Sequence, residues 1–169
     1  MRKTTLVAPI LFVAVVLTTG SAGAQQAAPA PPPLPPYGAP ISLDLAKKVM
    51  AGAEAEARKN NWAMVIAIVD SGGNLVMLER MDNAPLGSVD VAQQKAHTAN
   101  AFKRPTKVFQ DAVAQGGVNL RLLAVRNATP LEGAVPIIVG GAMVGAVGVS
   151  GGLSAQDAQC AQAGADLVK

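Results

Sequence analysis

The chain has 169 residues, half of them hydrophobic and 3% aromatic, a length that suits one domain with a sizeable core. Its formal net charge is +3, but no basic stripe interleaved with aromatic residues is present, so nucleic acid is not an expected partner. Cys160 is the only cysteine, which excludes an intramolecular disulfide and a cysteine-based metal cluster; its alanine neighbours predict that it is buried.

The first 24 residues have the pattern of a cleavable signal peptide. Arg2 and Lys3 form a positive region, residues 6–17 are an apolar run too short for a stable membrane anchor, and Ala22-Gly23-Ala24 matches a signal peptidase site. Taking Arg2 and Lys3 away from the 14 basic residues leaves 12 against 11 acidic residues, so the mature chain is nearly neutral. We therefore expect a periplasmic or secreted protein with no stable membrane insertion after cleavage. An uncleaved N-terminal anchor is the alternative.

Residues 25–40 are rich in alanine and proline, which predicts an extended, semi-rigid spacer ahead of the domain. A proline-rich recognition ligand is the alternative for this segment, which contains Tyr37. Ordered structure is expected from Ser42, which can cap a helix running from residue 43 to about residue 60, because apolar residues recur there at steps of three and four.

Two β-hairpins follow from apolar runs that are separated by glycine-containing turns. The first joins residues 62–69 to residues 75–81, and the second joins residues 135–139 to residues 142–149. The nearly continuous apolar character of these runs predicts strands that are covered on at least one face and lie centrally in a sheet. A fifth strand after Gln115 is left open.

The segments between and after the hairpins predict helices. One runs from Ser88 to about Lys103, a second from Thr106 to Ala114, and the last from Ser154 to Val168. The order α-β-β-α-α-β-β-α predicts an α/β protein of the α+β type, with an antiparallel sheet packed against helices.

Several segments in this order resemble one family. They are residues 69–76 (VDSGGNLV), 80–88 (RMDNAPLGS), 95–99 (KAHTA), 104–106 (RPT) and 145–152 (GAVGVSGG), together with Gln156-Asp157 and Ala163-Gly164. The chain from about residue 42 to residue 168 resembles the GlcG/HbpS family of haem-binding proteins, which is related to the C-terminal domain of PduO corrinoid adenosyltransferases. The resemblance implies a profilin-like sandwich that forms homo-oligomers and associates with haem or another tetrapyrrole, a corrinoid being the less favoured ligand.

His97 is the only histidine, and histidine is the commonest protein ligand of haem iron. It lies off the apolar stripe of its helix, so it should face solvent, a cleft or a subunit interface; an ordinary exposed or interface histidine is the alternative. Arg80, Lys95 and Arg104, with Lys103 and Lys107, could supply cations for propionates. We place His97, Arg80, Lys95, Thr98 and Arg104 in the expected haem site, with His97 as the iron ligand. The scarcity of aromatic residues predicts a shallow groove or a subunit interface rather than a deep aromatic cavity.

Other patterns are weaker indications of chemistry. The strand methionines Met64, Met77, Met81 and Met143 are expected to fill the core, and the glycines of residues 148–152 to allow close packing rather than phosphate binding. Asp70 and Asp82 are expected to form turns, and no motif identifies a catalytic centre. The leading hypothesis is an exported, non-enzymatic, homo-oligomeric protein for haem scavenging or sensing. An enzyme or accessory protein of a catabolic operon is the alternative, and it would gather Arg80, Asp82, Lys95 and Asp157 in one pocket.

Overall fold

A computed structural model gives the structure of the protein and describes residues 33–169. The expected signal peptide and the first part of the expected spacer, residues 25–32, lie outside the described residues. The described elements are α1 (Leu43–Lys59), β1 (Val65–Asp70), β2 (Leu75–Arg80), α2 (Ser88–Phe102), α3 (Lys107–Ala114), a 3-10 helix (Gly117–Ala124), β3 (Ala134–Val139), β4 (Ala142–Ser150), α4 (Ser154–Ala165) and a terminal 3-10 turn (Asp166–Val168). The predicted order of helices and strands is confirmed.

The four strands form one antiparallel sheet in the order β2-β1-β4-β3. Each hairpin contributes one inner strand, because β1 of the first hairpin pairs with β4 of the second. In this pairing Val65 lies opposite Ser150, and Asp70 lies opposite Gly145. The prediction of central strands is therefore right for β1 and β4 and wrong for β2 and β3, which form the edges. The fifth strand left open after Gln115 is a 3-10 helix instead, and none of its eight residues is buried.

Helices cover both faces of the sheet, which confirms the predicted α+β sandwich. On one face, α1 and α4 enclose a core with Ile66, Ile68, Val147 and Val149 of the inner strands. On the other face, the alanines of α2 pack on Val65, Ala67 and Val69. Among residues 33–169, no helix combines the length and the apolar character needed to cross a membrane.

Small residues bring α2 very close to the inner strand β4. A methyl group on Gly148 would lie 2.5 Å from the backbone nitrogen of Ala96 and would also overlap the carbonyl oxygen of Ala92. Glycine at this position therefore lets the helix backbone rest directly on the sheet. This contact confirms that Gly148 serves close packing, and it fixes the position of α2 relative to the sheet.

Residues 36–41, which we call the N-terminal strap, pack on the domain ahead of the predicted boundary at Ser42. The N–H of Met143 donates to the carbonyl of Pro36, the N–H of Gly38 donates to the carbonyl of Met143, and the N–H of Ile41 donates to the carbonyl of Val144, at 2.8–2.9 Å. Ile41 is buried. The strap thus bonds to β4 beyond the point where β1 ends, so this part of the proline-rich segment belongs to the packed domain.

Candidate functional site

A cleft of about 820 Å³ lies where the β1–β2 turn meets the C-terminal half of α2. Four segments that are far apart in the sequence form its walls. They are the strap residue Tyr37, the turn residues Ser71, Gly72 and Gly73, the helix residues Gln94, His97, Asn100 and Ala101, and the loop residues Asn127, Ala128 and Thr129. A volume of this size suits an organic ligand or cofactor.

The β1–β2 turn is held by Asp70, as expected for a turn-forming residue. Its carboxylate accepts hydrogen bonds from the backbone N–H of Asn74 at 2.8 Å and from the side-chain amide of Asn74. Partial burial acts to raise the pKa of Asp70, but the backbone N–H groups of Asn74, Gly72 and Gly73 outweigh it, so that the pKa lies below its ordinary value. The carboxylate form therefore stabilises this wall of the cleft at neutral pH.

His97 is exposed and faces the cleft, one of the locations predicted for it. Gly73, at φ +84°, leaves room beside it: a Cβ there would lie 3.7 Å from Nδ1 of His97 and 3.5 Å from the side-chain amide of Asn100. Asn100, one helical turn after His97, connects α2 to the β1–β2 turn. Its side-chain nitrogen donates to the carbonyl of Asp70 and its side-chain oxygen accepts from the N–H of Gly73, each at 3.2 Å. The imidazole consequently stands in open space beside a turn that is locked to its own helix.

Thr98 builds the opposite wall without lining it. Its buried hydroxyl donates to the carbonyl of Gln94 at 2.7 Å and accepts from the N–H of Thr129 at 2.9 Å. The hydroxyl of Thr129 in turn donates to the side-chain oxygen of Gln94 at 3.1 Å. Thr98 therefore positions the loop at residues 127–129 against α2.

Tyr37 closes the cleft at the C-terminal end of α2. Its hydroxyl donates to the carbonyl of Asn100 at 2.8 Å and lies 3.3 Å from the carbonyl of Ala101, which satisfies acceptors that a helix end leaves free. The ammonium of Lys103 lies 3.9 Å from the centre of the ring, a cation–π contact. Lys103 ends α2 at φ +54°.

Lys95 lies on the core side of α2. It precedes His97 by two residues, and each residue of a helix is rotated by about 100°, so the two side chains are about 200° apart around the helix axis. Its ammonium donates to the carboxylate of Asp157 at 2.7 Å and to the carbonyl of Val149 at 3.0 Å, with both charged side chains at most 4% exposed. The other carboxylate oxygen of Asp157 accepts from the N–H of Gly152. Burial raises the pKa of Asp157 above its ordinary value, against the lowering effect of Lys95. This pair ties α2 to the start of α4 and is apart from the cleft.

The two predicted arginines are also apart from the cleft. Arg80 is the last residue of β2, whereas Leu75 at the start of the strand directly follows the turn that lines the cleft. The five residue steps between them correspond to roughly 17 Å along the strand. Arg104 follows α2, where its Nε donates to the carbonyl of Phe102. The pocket that the alternative hypothesis required is not formed, because Lys95 and Asp157 are buried together whereas Arg80 and Asp82 are exposed.

Of the five residues placed in the site by sequence, the structure brings only His97 to the cleft surface, with Thr98 directly behind it. Gln94, Asn100 and Ala101, which lie three or four residues from His97 on the same helix face, also line the cleft. The contributions of Tyr37 and of residues 127–129 were missed, because no local pattern connects them to α2. Within residues 33–169, no cluster of three or more His, Cys, Asp or Glu side chains could hold a metal ion.

Comparison with known proteins assigns the chain to a family. Residues 41–166 match the model of the family described as haem degrading protein HbpS-like. Protein GlcG of Escherichia coli strain K12 is 42% identical over 110 residues, 65% of this chain and 81% of GlcG.

Two solved structures share the fold. Klebsiella pneumoniae protein ORFY is 34% identical with a TM-score of 0.73, over 78% of this chain and 92% of that one. A structure described as a PduOC:heme complex is 27% identical with a TM-score of 0.70, over 77% and 96%. The α+β sandwich, its ordered motifs and these matches together establish that the chain belongs to the HbpS-like family.

Proposed function

We propose that this protein is an exported, homo-oligomeric haem-binding protein that holds haem, or a closely related tetrapyrrole, in the cleft beside His97. The observation that carries the proposal is the open position of the His97 imidazole in a ligand-sized cleft, in a chain whose family model and PduOC neighbour are both named for haem. Scavenging or sensing of haem is the role we infer.

The residues of the cleft fit a flat macrocycle that carries carboxylates. Gly72 and Gly73 present a wall without side chains, next to an imidazole that is free to approach iron. Tyr37 adds an aromatic surface, and Lys103 beside it supplies a cation for a propionate. When bound, haem would supply redox and ligand-binding chemistry; the chain's own residues would hold it, orient it and shield one face from water.

Exposed apolar side chains support self-association. They include Val118, Leu120 and Leu123 of the 3-10 helix, and Val125 and Leu131 of the loop that leads to β3. The same loop passes through residues 127–129 and forms one wall of the cleft. Several exposed apolar side chains within one short stretch of chain are typical of a surface that a partner covers. We infer that a second copy of the chain covers it, and light scattering at micromolar concentration tests this, since a monomer would contradict it.

Hemin titration of the purified protein tests the proposed function. We expect a saturable Soret band in the wild type, and a shifted band with weaker binding in His97→Ala. Gln93→Ala is the matched control, because Gln93 is on the same helix and is bonded to the carbonyl of Val89 rather than to the cleft. A titration indistinguishable from that of free hemin would overturn the proposal. An unchanged band and affinity in His97→Ala would place the iron ligand elsewhere.

The polar side chains of the cleft support one other candidate, a binding or catalytic role toward a small polar metabolite of a catabolic operon. Gln94, Asn100, Asn127 and Thr129 offer amide and hydroxyl groups that suit such a ligand. Mass spectrometry of what co-purifies separates the two candidates: a tetrapyrrole supports the first, and a small polar compound supports the second.

A further inference from the structure

Tyr37 lies outside the part of the chain that the family model covers, since the match begins at residue 41. It nevertheless lines the cleft together with His97. The strap holds it there by backbone hydrogen bonds on both sides: the carbonyl of Pro36 accepts from the N–H of Met143, and the N–H of Gly38 donates to the carbonyl of Met143. The strap thus adds a wall to the site from residues ahead of the family-model match.

We propose that Tyr37 is a specificity-determining residue of the cleft, whose ring forms the contact surface for one side of a flat aromatic macrocycle. This inference rests on the proposed function. It extends that function by assigning a role to the strap, part of the segment whose composition predicts a spacer.

Two features make the ring a prepared surface rather than a mobile side chain. The hydroxyl bond to the carbonyl of Asn100, at 2.8 Å, fixes the far end of the ring, and the strap fixes the near end. Ring and backbone are therefore placed before a ligand arrives, which reduces the entropy lost on binding. Tyr37 as a whole is still 46% exposed, which leaves surface for a ligand to cover.

The position of Lys103 adds a second element of selectivity. Its ammonium lies over the Tyr37 ring, at the C-terminal end of α2. A ligand that stacks near the ring and carries a carboxylate at its edge can meet both groups. This chemistry describes a porphyrin with propionate substituents better than a small polar metabolite.

Hemin binding by variants of the full chain separates the ring from its hydroxyl anchor. We expect Tyr37→Ala to weaken hemin binding by roughly 3- to 10-fold, the range for loss of an aromatic contact. Tyr37→Phe, which keeps the ring, should stay within about 2-fold of wild type. A purely structural role, in which the hydroxyl only anchors the strap, predicts equal losses in both variants and would overturn the proposal. Leu34→Ala is the control for disturbance of the exposed segment.

A spectroscopic test requires no substitution, because the chain contains one tyrosine and one tryptophan. With fluorotyrosine and fluorotryptophan incorporated, the fluorine signal of Tyr37 should broaden when paramagnetic hemin binds. The signal of Trp62 should not, because Trp62 precedes β1 at the end of the strand opposite the turn and packs in the core on the α1 side.

The outcomes distinguish the two proposals. Absence of a saturable Soret band contradicts the proposed function itself. Saturable hemin binding with full affinity in Tyr37→Ala leaves the proposed function standing and overturns the assignment of Tyr37. Saturable binding with an unchanged Tyr37 signal would place hemin outside the cleft, and would overturn both the assignment of Tyr37 and the proposed position of haem beside His97.

Discussion

Replacement of one member of the Lys95–Asp157 pair should be strongly destabilising, whereas joint replacement should be much less so. In Lys95→Met the Asp157 carboxylate keeps the N–H of Gly152 but loses its counter-ion in a site where it is 4% exposed. Stranding a buried charge in this way costs about 3–5 kcal/mol. Domains of this size have about 5–15 kcal/mol of stability, so the variant should unfold at much lower urea concentration, by about 2 M.

The measurement is a double-mutant cycle. Urea unfolding of wild type, Lys95→Met, Asp157→Asn and the double variant is followed by the fluorescence of Trp62, at one fixed protein concentration. The double variant leaves a neutral amide that can still accept from Gly152. We therefore expect its loss of unfolding free energy to be smaller than the sum of the two single-variant losses by at least about 2 kcal/mol. Additivity within about 0.5 kcal/mol would refute the reasoning, since it would mean that the two charges do not depend on each other.

The same variants give a pH dependence with a definite sign. Burial already raises the folded-state pKa of Asp157 above the ordinary value near 3.8, and removing Lys95 takes away a group that lowers it. For a carboxyl with a raised pKa, folding is favoured below that pKa and is penalised as the pH rises through it. The stability deficit of Lys95→Met relative to wild type should therefore shrink as the pH falls from 7 toward 4. A deficit that grows on acidification would contradict this assignment.

Three further predictions concern packing, reactivity and the cleft wall. Gly148→Ala should lower the free energy of unfolding by about 1–3 kcal/mol or more in urea, because its methyl group meets the backbone of α2. Gly87→Ala, with open space around it, should be close to neutral. Equal effects of the two substitutions would contradict the packing argument. Burial raises the pKa of Cys160 to about 11, so thiol reagents at pH 8 should label it only after denaturation, since about one thiol in a thousand is ionised; rapid native labelling would contradict this. Thr98→Val should cost about 1–3 kcal/mol because the N–H of Thr129 loses its acceptor, and Thr98→Ser should restore it; a neutral valine variant would show that the loop is held by other contacts.

Local patterns were sufficient to predict the elements of the fold. Ser42 caps α1 through its side-chain oxygen, which accepts the N–H of Leu45, and both hairpin turns lie at the predicted glycines. These features depend on interactions within a few residues, which spacing and residue type report directly. Cys160 is buried, as its small neighbours indicated.

Long-range pairing could not be predicted in the same way. The sequence contains no signal that β1 pairs with β4, so all four strands looked equally central although two are edges. Lys95 looked like a surface cation available to a ligand, because its partner Asp157 is 62 residues away and the pair forms only when α2 and α4 meet across the sheet. Tyr37 was assigned to a spacer for a similar reason: its partners are the end of α2 and Met143 of β4.

The cleft combines parts of different rigidity, and this follows from how each wall is held. His97 stands on a helix whose other side carries Lys95 into the core and whose alanines rest on Gly148, so the backbone that carries the imidazole cannot shift without disturbing the sheet. The loop at residues 127–129 is held instead by a few hydrogen bonds at partly exposed positions, the kind of contact that opens at low free-energy cost. If His97 binds iron as proposed, the metal would be held from the rigid wall while the loop adjusts to the edge of the macrocycle. The strap and the loop are therefore where affinity can change without loss of the fold, whereas changes on the core side of α2 should affect stability first.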